Sequence, residues 1–452
     1  MKNKLKVTVL DNDMCCGCGA CAGVCVREAI EINTKDSFKP VINFSKCNNC
    51  NLCFEVCPAK GYPINKWLSS LDNNHTKMTI DRGPVLQYYK GYSLDPFIRT
   101  NSASGGVATS LLINLLKNKM VDEVAVVGMS NEKPQLIITN DIKVIMSAMM
   151  SKYGPVPVLH KIIPELKNRP RKIALTLTPC QLAGLKLAIS VVPKLKDSKI
   201  YTLGLFCGQI QTYDALRVVA SSMKVKYPDE AKFIAWRYGA YPGSMRYEKK
   251  DGTFMDKPYY EWLNLVVPFY SLKRCFLCPD GGNWLADLTL GDIHRNGTDE
   301  NIIVCRTKNG FEMLKSATEM SCIKIESLNE DEIERSVIKN ITRSKLIPSL
   351  ILIKWLKKLK FPAPEFDYNN KLLKDLKLIF LTPFYIIRFF MISIIRHKNI
   401  INNLEKYPFF MEKIGHFLYY FPSTIIGFKF FIKVIKKIHR FKDMFGMKRP
   451  QY

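Results

Sequence analysis

The sequence predicts three regions: a small α+β unit rich in cysteine, a larger α/β domain, and a basic, hydrophobic helical C-terminal tail. Three observations predict them. Nine of the fifteen cysteines fall within the first 57 residues. From Val85 to about Ser344, short β-branched runs alternate with amphipathic patterns, which argues for an α/β domain with a mainly parallel sheet. Beyond Leu346 the pattern changes to long helical stretches rich in Phe, Ile and Lys, broken by Pro362, Pro364, Pro383, Pro408 and Pro422. The boundaries are expected at 1–70, 71–345 and 346–452, with a polar, irregular linker around Leu71–Pro84.

Within the first unit, Cys15, Cys18, Cys21 and Cys25 read C-x2-C-x2-C-x3-C. Cys47, Cys50, Cys53 and Cys57 repeat the run, and Pro58 follows. This resembles the bacterial two-cluster ferredoxin pattern, in which the fourth cysteine of each run ligates the other cluster. The unit is therefore ferredoxin-like. One [4Fe-4S] cluster is expected on Cys15, Cys18, Cys21 and Cys57, and a second on Cys47, Cys50, Cys53 and Cys25. Small residues such as Gly17, Gly19 and Ala20 permit the tight turns between ligands. Structural zinc uses thiolates in two pairs per site, and it does not explain three in a row plus a fourth at x3, twice over. A disulfide framework fits poorly, because Met1–Asp13 holds no apolar run long enough for an export signal. Val26 stands where proline often follows the fourth cysteine, and Cys16 is a spare thiol outside the pattern.

The net charge of +27 is unevenly placed: from Leu346 onward twenty Lys and Arg face six Asp and Glu. Such charge suits an acidic electron carrier, a phosphorylated cofactor or an anionic membrane surface. No helix-turn-helix, zinc finger or RNA-binding signature is present, so nucleic acid is not an expected partner. Oxygen-sensitive clusters and free thiols fit a cytoplasmic protein, peripheral at the inner face of the cell membrane if the tail seats there.

Four further cysteines lie in the α/β region: Cys180 and Cys207 after apolar strands, and Cys275 with Cys278 as a C-x2-C pair. Together they could supply a third metal site. Taken singly, such cysteines also serve as small buried hydrophobes, zinc ligands or a redox dithiol. Cys305 and Cys322 read as packing residues. Ser102, Ser104, Gly105 and Gly106 precede a good helix from Val107, whose N-terminus would favour an anion such as a pyrophosphate. The same residues equally suit a plain helix cap.

These segments, in this order, resemble the family of beta subunits of coenzyme F420 hydrogenases and dehydrogenases. The motifs Ser151-Lys152-Tyr153, Arg237-Tyr238-Gly239-Ala240-Tyr241-Pro242-Gly243 and Ile302–Thr307 add to the match over about residues 85–325. The resemblance implies a third [4Fe-4S] cluster on Cys180, Cys207, Cys275 and Cys278. It also implies a flavin, usually FAD, touched by Ser102–Gly106, with coenzyme F420 as a possible co-substrate. Leu177 departs from the glycine the family often places before Thr-Pro-Cys-Gln, and the tail lies outside the match.

A flavin beside clusters converts hydride chemistry into single-electron transfer, so the expected function is an iron–sulfur flavoprotein oxidoreductase. Its partner would be ferredoxin or another redox carrier or subunit, with either direction of flow allowed. The alternatives are a non-catalytic electron-transfer subunit, or a reductase of an envelope or lipid-linked precursor at the membrane. Asp287, Asp292 and Lys152 are the candidate catalytic groups, with Tyr153, Arg237 and His294 behind them. In the tail, Leu378–Ile395 and Phe417–Ile435 suit interfacial helices, a packed lobe, or a true membrane span or re-entrant hairpin.

Overall fold

The computed structural model describes residues 3–32, 38–70, 77–79, 82–130, 133–239, 241–293, 299–335, 337–368 and 389. In the N-terminal unit the strands Ile30–Ile32 and Pro40–Ile42 pair antiparallel. The helical turns Ala20–Gly23 and Leu52–Glu55 each carry the third cysteine of a run. The two runs share one backbone. Gly17 and Gly19 are left-handed at φ +71° and +83°, and Asn49 and Asn51 take the same positions in the second run at +56° and +60°. Asparagine tolerates that region, so conformation alone does not explain the glycines. Packing does. A Cβ on Gly19 would stand 2.7 Å from the Pro157 carbonyl oxygen, and one on Gly17 would meet Pro155 at 2.9 Å. The first run is pressed against the larger domain, whereas Cys50 in the second is exposed.

The larger domain contains strands β1 (Gln87–Ser93), β2 (Glu123–Ser130), β3 (Lys133–Thr139), β4 (Lys172–Leu177), β5 (Lys199–Leu205), β6 (Ala231–Tyr238), β7 (Ser244–Lys249), β8 (Phe254–Pro258), β9 (Leu288–Asp292), β10 (Asn301–Cys305) and β11 (Ile323–Ser327). Its main helices are α1 (Val107–Lys117), α2 (Ile142–Ser147), α3 (Val158–Asn168), α4 (Pro179–Val191), α5 (Asp214–Ser222), α6 (Tyr259–Tyr270) and α7 (Lys308–Glu319), and α8 (Val337–Lys358) follows. Eight strands form one sheet in the order β11-β1-β10-β9-β5-β4-β2-β3. The block β2-β4-β5-β9 is parallel, and every other pairing is antiparallel. The expected mainly parallel sheet is thus a mixed one. The reason is connection length: two residues separate β2 from β3, enough for a hairpin but not for the crossover that parallel neighbours need.

The β4 side chains alternate between two cores. Ile173, Leu175 and Leu177 pack with α3, α4 and the N-terminal unit, while Ala174 faces α1 and α7. A smaller antiparallel sheet, β6-β7-β8, packs on α5 and α6 around Trp236, Tyr247 and Trp262.

Helix α8 runs through the expected 345/346 boundary. Its Leu346 and Ile347 join the core of the larger domain, and Leu352, Ile353 and Leu356 join the core around Cys21, Cys53 and Cys57. Glu365–Phe366 then pairs in parallel with Gly61–Tyr62, and the Asp367 carboxylate accepts the backbone N–H groups of Asn65 and Lys66. The described start of the tail is therefore a packed lobe. Phe417–Ile435, and Leu378–Ile395 apart from the buried Phe389, lie outside the described residues. Among the described residues no helix is long and apolar enough to cross a membrane.

Replacing Gly19 by Ala should cost about 1–3 kcal/mol for the left-handed backbone alone, with the contact to Pro157 added. A denaturation midpoint lowered by Gly19→Ala, and less so by Asn51→Ala, is the expected result. Equal effects would show that the docking of the first run is not the constraint.

Candidate functional site

Cys15, Cys18, Cys21 and Cys57 line one small cavity walled by Leu5, Val9, Leu10, Ile32, Phe38 and Pro40. The fourth ligand of the second run thus sits with the first three of the first. Burial pushes the Cys15 thiol up to about 12 and raises those of Cys21 and Cys57. A dry cavity holding four thiols fits the donor set of a [4Fe-4S] cluster. The reciprocal set is more open: Cys50 is exposed, Cys25 and Cys47 are half-buried, and burial with the neighbouring Cys50 pushes Cys53 up to about 11. Asn3 and the Ala29 amide donate to the sulfurs of Cys47 and Cys25, at 3.7 and 3.3 Å. Among the described residues no three cysteine, histidine or carboxylate groups close tightly enough to hold a single metal ion. Thiolates around a four-iron cube stand wider apart than those around one zinc.

The third set is built at the carboxyl ends of the parallel strands, where open α/β sheets place their ligands. Cys180 lies in the first turn of α4, just after β4. Thr178 and Gln181 close a capping box there, and the Thr178 hydroxyl lies 3.5 Å from the Cys180 sulfur. Cys207 follows β5, the parallel neighbour of β4. The 3-10 turn Lys273–Leu277 carries Cys275 and leads to Cys278. Asn283 holds the strand ends together: its side-chain amide donates to the carbonyls of Leu177 (2.8 Å) and Leu205 (3.3 Å). The Asn283 Oδ1 atom is buried without a hydrogen-bond partner among the described residues. Cys207 and Cys275 share an apolar cluster with Phe38 and Cys15, so the first and third sets are neighbours. Cys16, expected to be a spare thiol, is buried in the core that also holds Cys18 and against which Cys180 packs, one from each set.

Arg274 spans the same junction, donating to the carbonyls of Pro58, Ala59 and Leu277. Neither Arg274 nor Asn283 is recognisable in the sequence, because their partners lie up to 216 residues away.

The other expected site residues divide into committed and available groups. Ser104 is buried and donates to the Glu300 carbonyl at 2.7 Å. A Cβ on Gly105 would stand 2.8 Å from the Gly91 carbonyl, and the Asn301 side chain caps the Val107 amide. Gly106 supplies the left-handed cap of α1 at φ +77°. Packing and capping thus account for these three, and Ser102 is left with its hydroxyl uncommitted among the described residues.

Asp287 is a structural hub. Its carboxylate accepts from the Thr202 amide and hydroxyl and from Thr307, joining β5 to the start of α7. Lys152 donates to the carbonyls of Ala148, Met149 and Met150, where it closes the end of α2. Burial pushes its ammonium down to about 7, while the carbonyl contacts favour the charged form.

Asp292, at the end of β9, meets Arg237 Nη1 at 2.6 Å. Arg237 is 3 % exposed, stacks near the rings of Tyr241 and Tyr259, and donates from Nε to the Pro242 carbonyl. Its Nη2 has no hydrogen-bond partner among the described residues. The strand end that carries Asp292 lies against the residue before Cys207: a Cβ on Gly291 would overlap the Phe206 ring. Tyr153 packs against Trp236 and Trp262, whereas His294 lies outside the described residues. Cys305 is buried in the core, as expected.

Residues 88–162 match the N-terminal model, and residues 170–331 the C-terminal model, of the coenzyme F420 hydrogenase/dehydrogenase beta subunit. Residues 40–60 match a 4Fe-4S binding domain. A subunit of the F(420)H(2) dehydrogenase of Methanosarcina mazei is 23 % identical over 69 % of this chain and 85 % of its own length. The coenzyme F420-dependent sulfite reductase of Methanocaldococcus jannaschii is 25 % identical over 72 % of this chain, which spans about half of that relative, 49 %. Among solved structures, a chain of the F420-reducing [NiFe] hydrogenase complex from Methanosarcina barkeri aligns with a TM-score of 0.51 and 19 % identity. That alignment covers 64 % of this chain and 98 % of the other. The chain belongs to the family of coenzyme F420 hydrogenase/dehydrogenase beta subunits, with a 4Fe-4S binding domain at its N-terminus.

Proposed function

We propose that this chain is an iron–sulfur oxidoreductase that carries electrons between a redox carrier at its surface and a hydride acceptor or donor, coenzyme F420 or another small substrate. The observation that carries the proposal is the continuous line of thiol sets. It starts at exposed Cys50, passes the buried cavity of Cys15, Cys18, Cys21 and Cys57, and reaches Cys180, Cys207, Cys275 and Cys278 at the strand ends. When bound, clusters on these sets supply single-electron transfer, and a flavin beside the third set supplies its exchange for hydride.

The residues of the chain do the positioning. Phe38, Leu272 and Ile210 keep water from the junction of the first and third sets. Cys16 fills the space between Cys18 and Cys180. The Arg237 guanidinium, fixed by Asp292 and Pro242, keeps one N–H direction for an anionic group of the small substrate. Ser102 is the residue of the glycine turn best placed to touch a flavin. Asp287 and Lys152 support the framework. The named relatives include part of a dehydrogenase and a reductase, which supports a shared electron path serving different substrates.

Purified without oxygen, the chain should contain about twelve irons and one flavin, and Cys180→Ser should leave about eight irons by cluster stoichiometry. Eight irons in the unaltered chain would remove the third cluster, and absent flavin would remove the hydride converter.

Asp292→Asn frees the Arg237 guanidinium to turn. It should raise the KM for the anionic substrate about tenfold, the equivalent of ~1.4 kcal/mol, with iron content unchanged. An unchanged KM would show that the pair only braces β9.

A further inference from the structure

Helix α8 brings one more charged group to the third thiol set, from beyond the residues that the family model matches, which end at 331. Lys345 is 5 % exposed, and its Nζ donates to the Cys207 carbonyl at 2.7 Å. Its neighbours Leu346, Ile347 and Ser349 are buried, the first two in the core that also holds Cys16, Cys18 and Trp284. The close-packed helix thus prevents the ammonium from swinging out to water. Burial pushes the Cys275 thiol up to about 11 and raises Cys207 as well, and in both the first charge opposing that rise is Lys345. Burial also pushes the neighbouring Asp280 carboxyl up to about 6, with Lys345 again foremost among the opposing charges.

A buried cation needs an opposite charge to offset its lost hydration. The Asp280 carboxyl feels the Lys345 charge, and four thiolates around iron would add negative charge beside it. Arg274 also lies near, but it hydrogen-bonds on both sides of the junction, at Pro58 and Ala59 and at Leu277, so its field is shared by two sets. Lys345 bonds instead to the backbone of a third-set cysteine. We propose that Lys345 is a positioning residue whose fixed charge selectively raises the reduction potential of the cluster held by Cys180, Cys207, Cys275 and Cys278. The sign follows from charge balance. Reduction adds one electron to the site and breaks no bond, and a nearby cation favours the more negative form. The third station is thereby made the better electron acceptor, which draws electrons from the surface sets inward.

This inference rests on those four cysteines holding a cluster, and the experiment separates the two. In the anaerobically purified full chain, a potentiometric titration followed by electron paramagnetic resonance should resolve three clusters. Only two in the unaltered protein would defeat the cluster assignment itself. Given three, Lys345→Met should shift one midpoint to lower potential and leave the other two in place, while Lys345→Arg should retain the original value. No shift, an equal shift of all three, or the same shift in both variants would overturn the proposal. If Lys345→Met loses iron, Lys345→Gln takes its place; loss of iron there too would overturn the proposal in favour of a purely structural lysine.

Discussion

The seating of the Cys15–Cys21 loop on residues 155–160 is the constraint that organises this protein. Gly19 lets backbone meet backbone there, Gly17 makes room for the Pro155 side chain, and the Leu159 amide donates to the Cys18 carbonyl at 3.0 Å. Side chains of ordinary size at either glycine would hold the two domains apart. With them absent, a thiol set from the N-terminal unit and one from the sheet share the same apolar surroundings. The docking thus brings Cys15 and the pair Cys207 and Cys275 against one apolar cluster of Phe38, Ile210 and Leu272.

Around that junction the polar groups are spent on geometry. Asn283 ties the carboxyl ends of β4 and β5, Asp287 ties β5 to α7, and Arg306 reaches the carbonyls of Arg82, Pro84 and Gly282. Each is a buried side chain satisfying backbone atoms far away in sequence, which makes the strand ends a rigid mount. The smaller sheet contributes differently. It presents Arg237 toward the same end of the large sheet, with one donor direction unfilled.

The cysteine pattern was fully legible in the sequence, because three ligands at two-residue gaps are a local signal and the repeat confirms itself. The meeting of Cys57 with Cys15, Cys18 and Cys21 in one cavity was expected from the ferredoxin pattern, not from any local signal. The α/β character of the larger domain showed in its alternating runs, but the direction of its strands did not. Pairing direction depends on connection length, and the two-residue link between β2 and β3 sits inside an otherwise continuous β-rich stretch. Asp287 drew notice because it lies close to the Cys275–Cys278 pair, and Lys152 because it falls in a segment that resembles the family; hydrogen bonds to Thr202 and to the carbonyls just after α2 engage them. Lys345 is one lysine among many on a basic helix. Only the fold distinguishes it from those that face solvent.

The pairing of Glu365–Phe366 with Gly61–Tyr62 has a consequence for how the molecule is assembled. The N-terminal unit leaves the ribosome roughly three hundred residues before the strand that completes it. Contacts of such separation in sequence form late, because loop closure opposes them. The first sixty residues must therefore pass through synthesis with an edge uncovered and their thiols in need of protection. The pairing with Glu365–Phe366 then covers that edge and ties the two distant parts of the chain together.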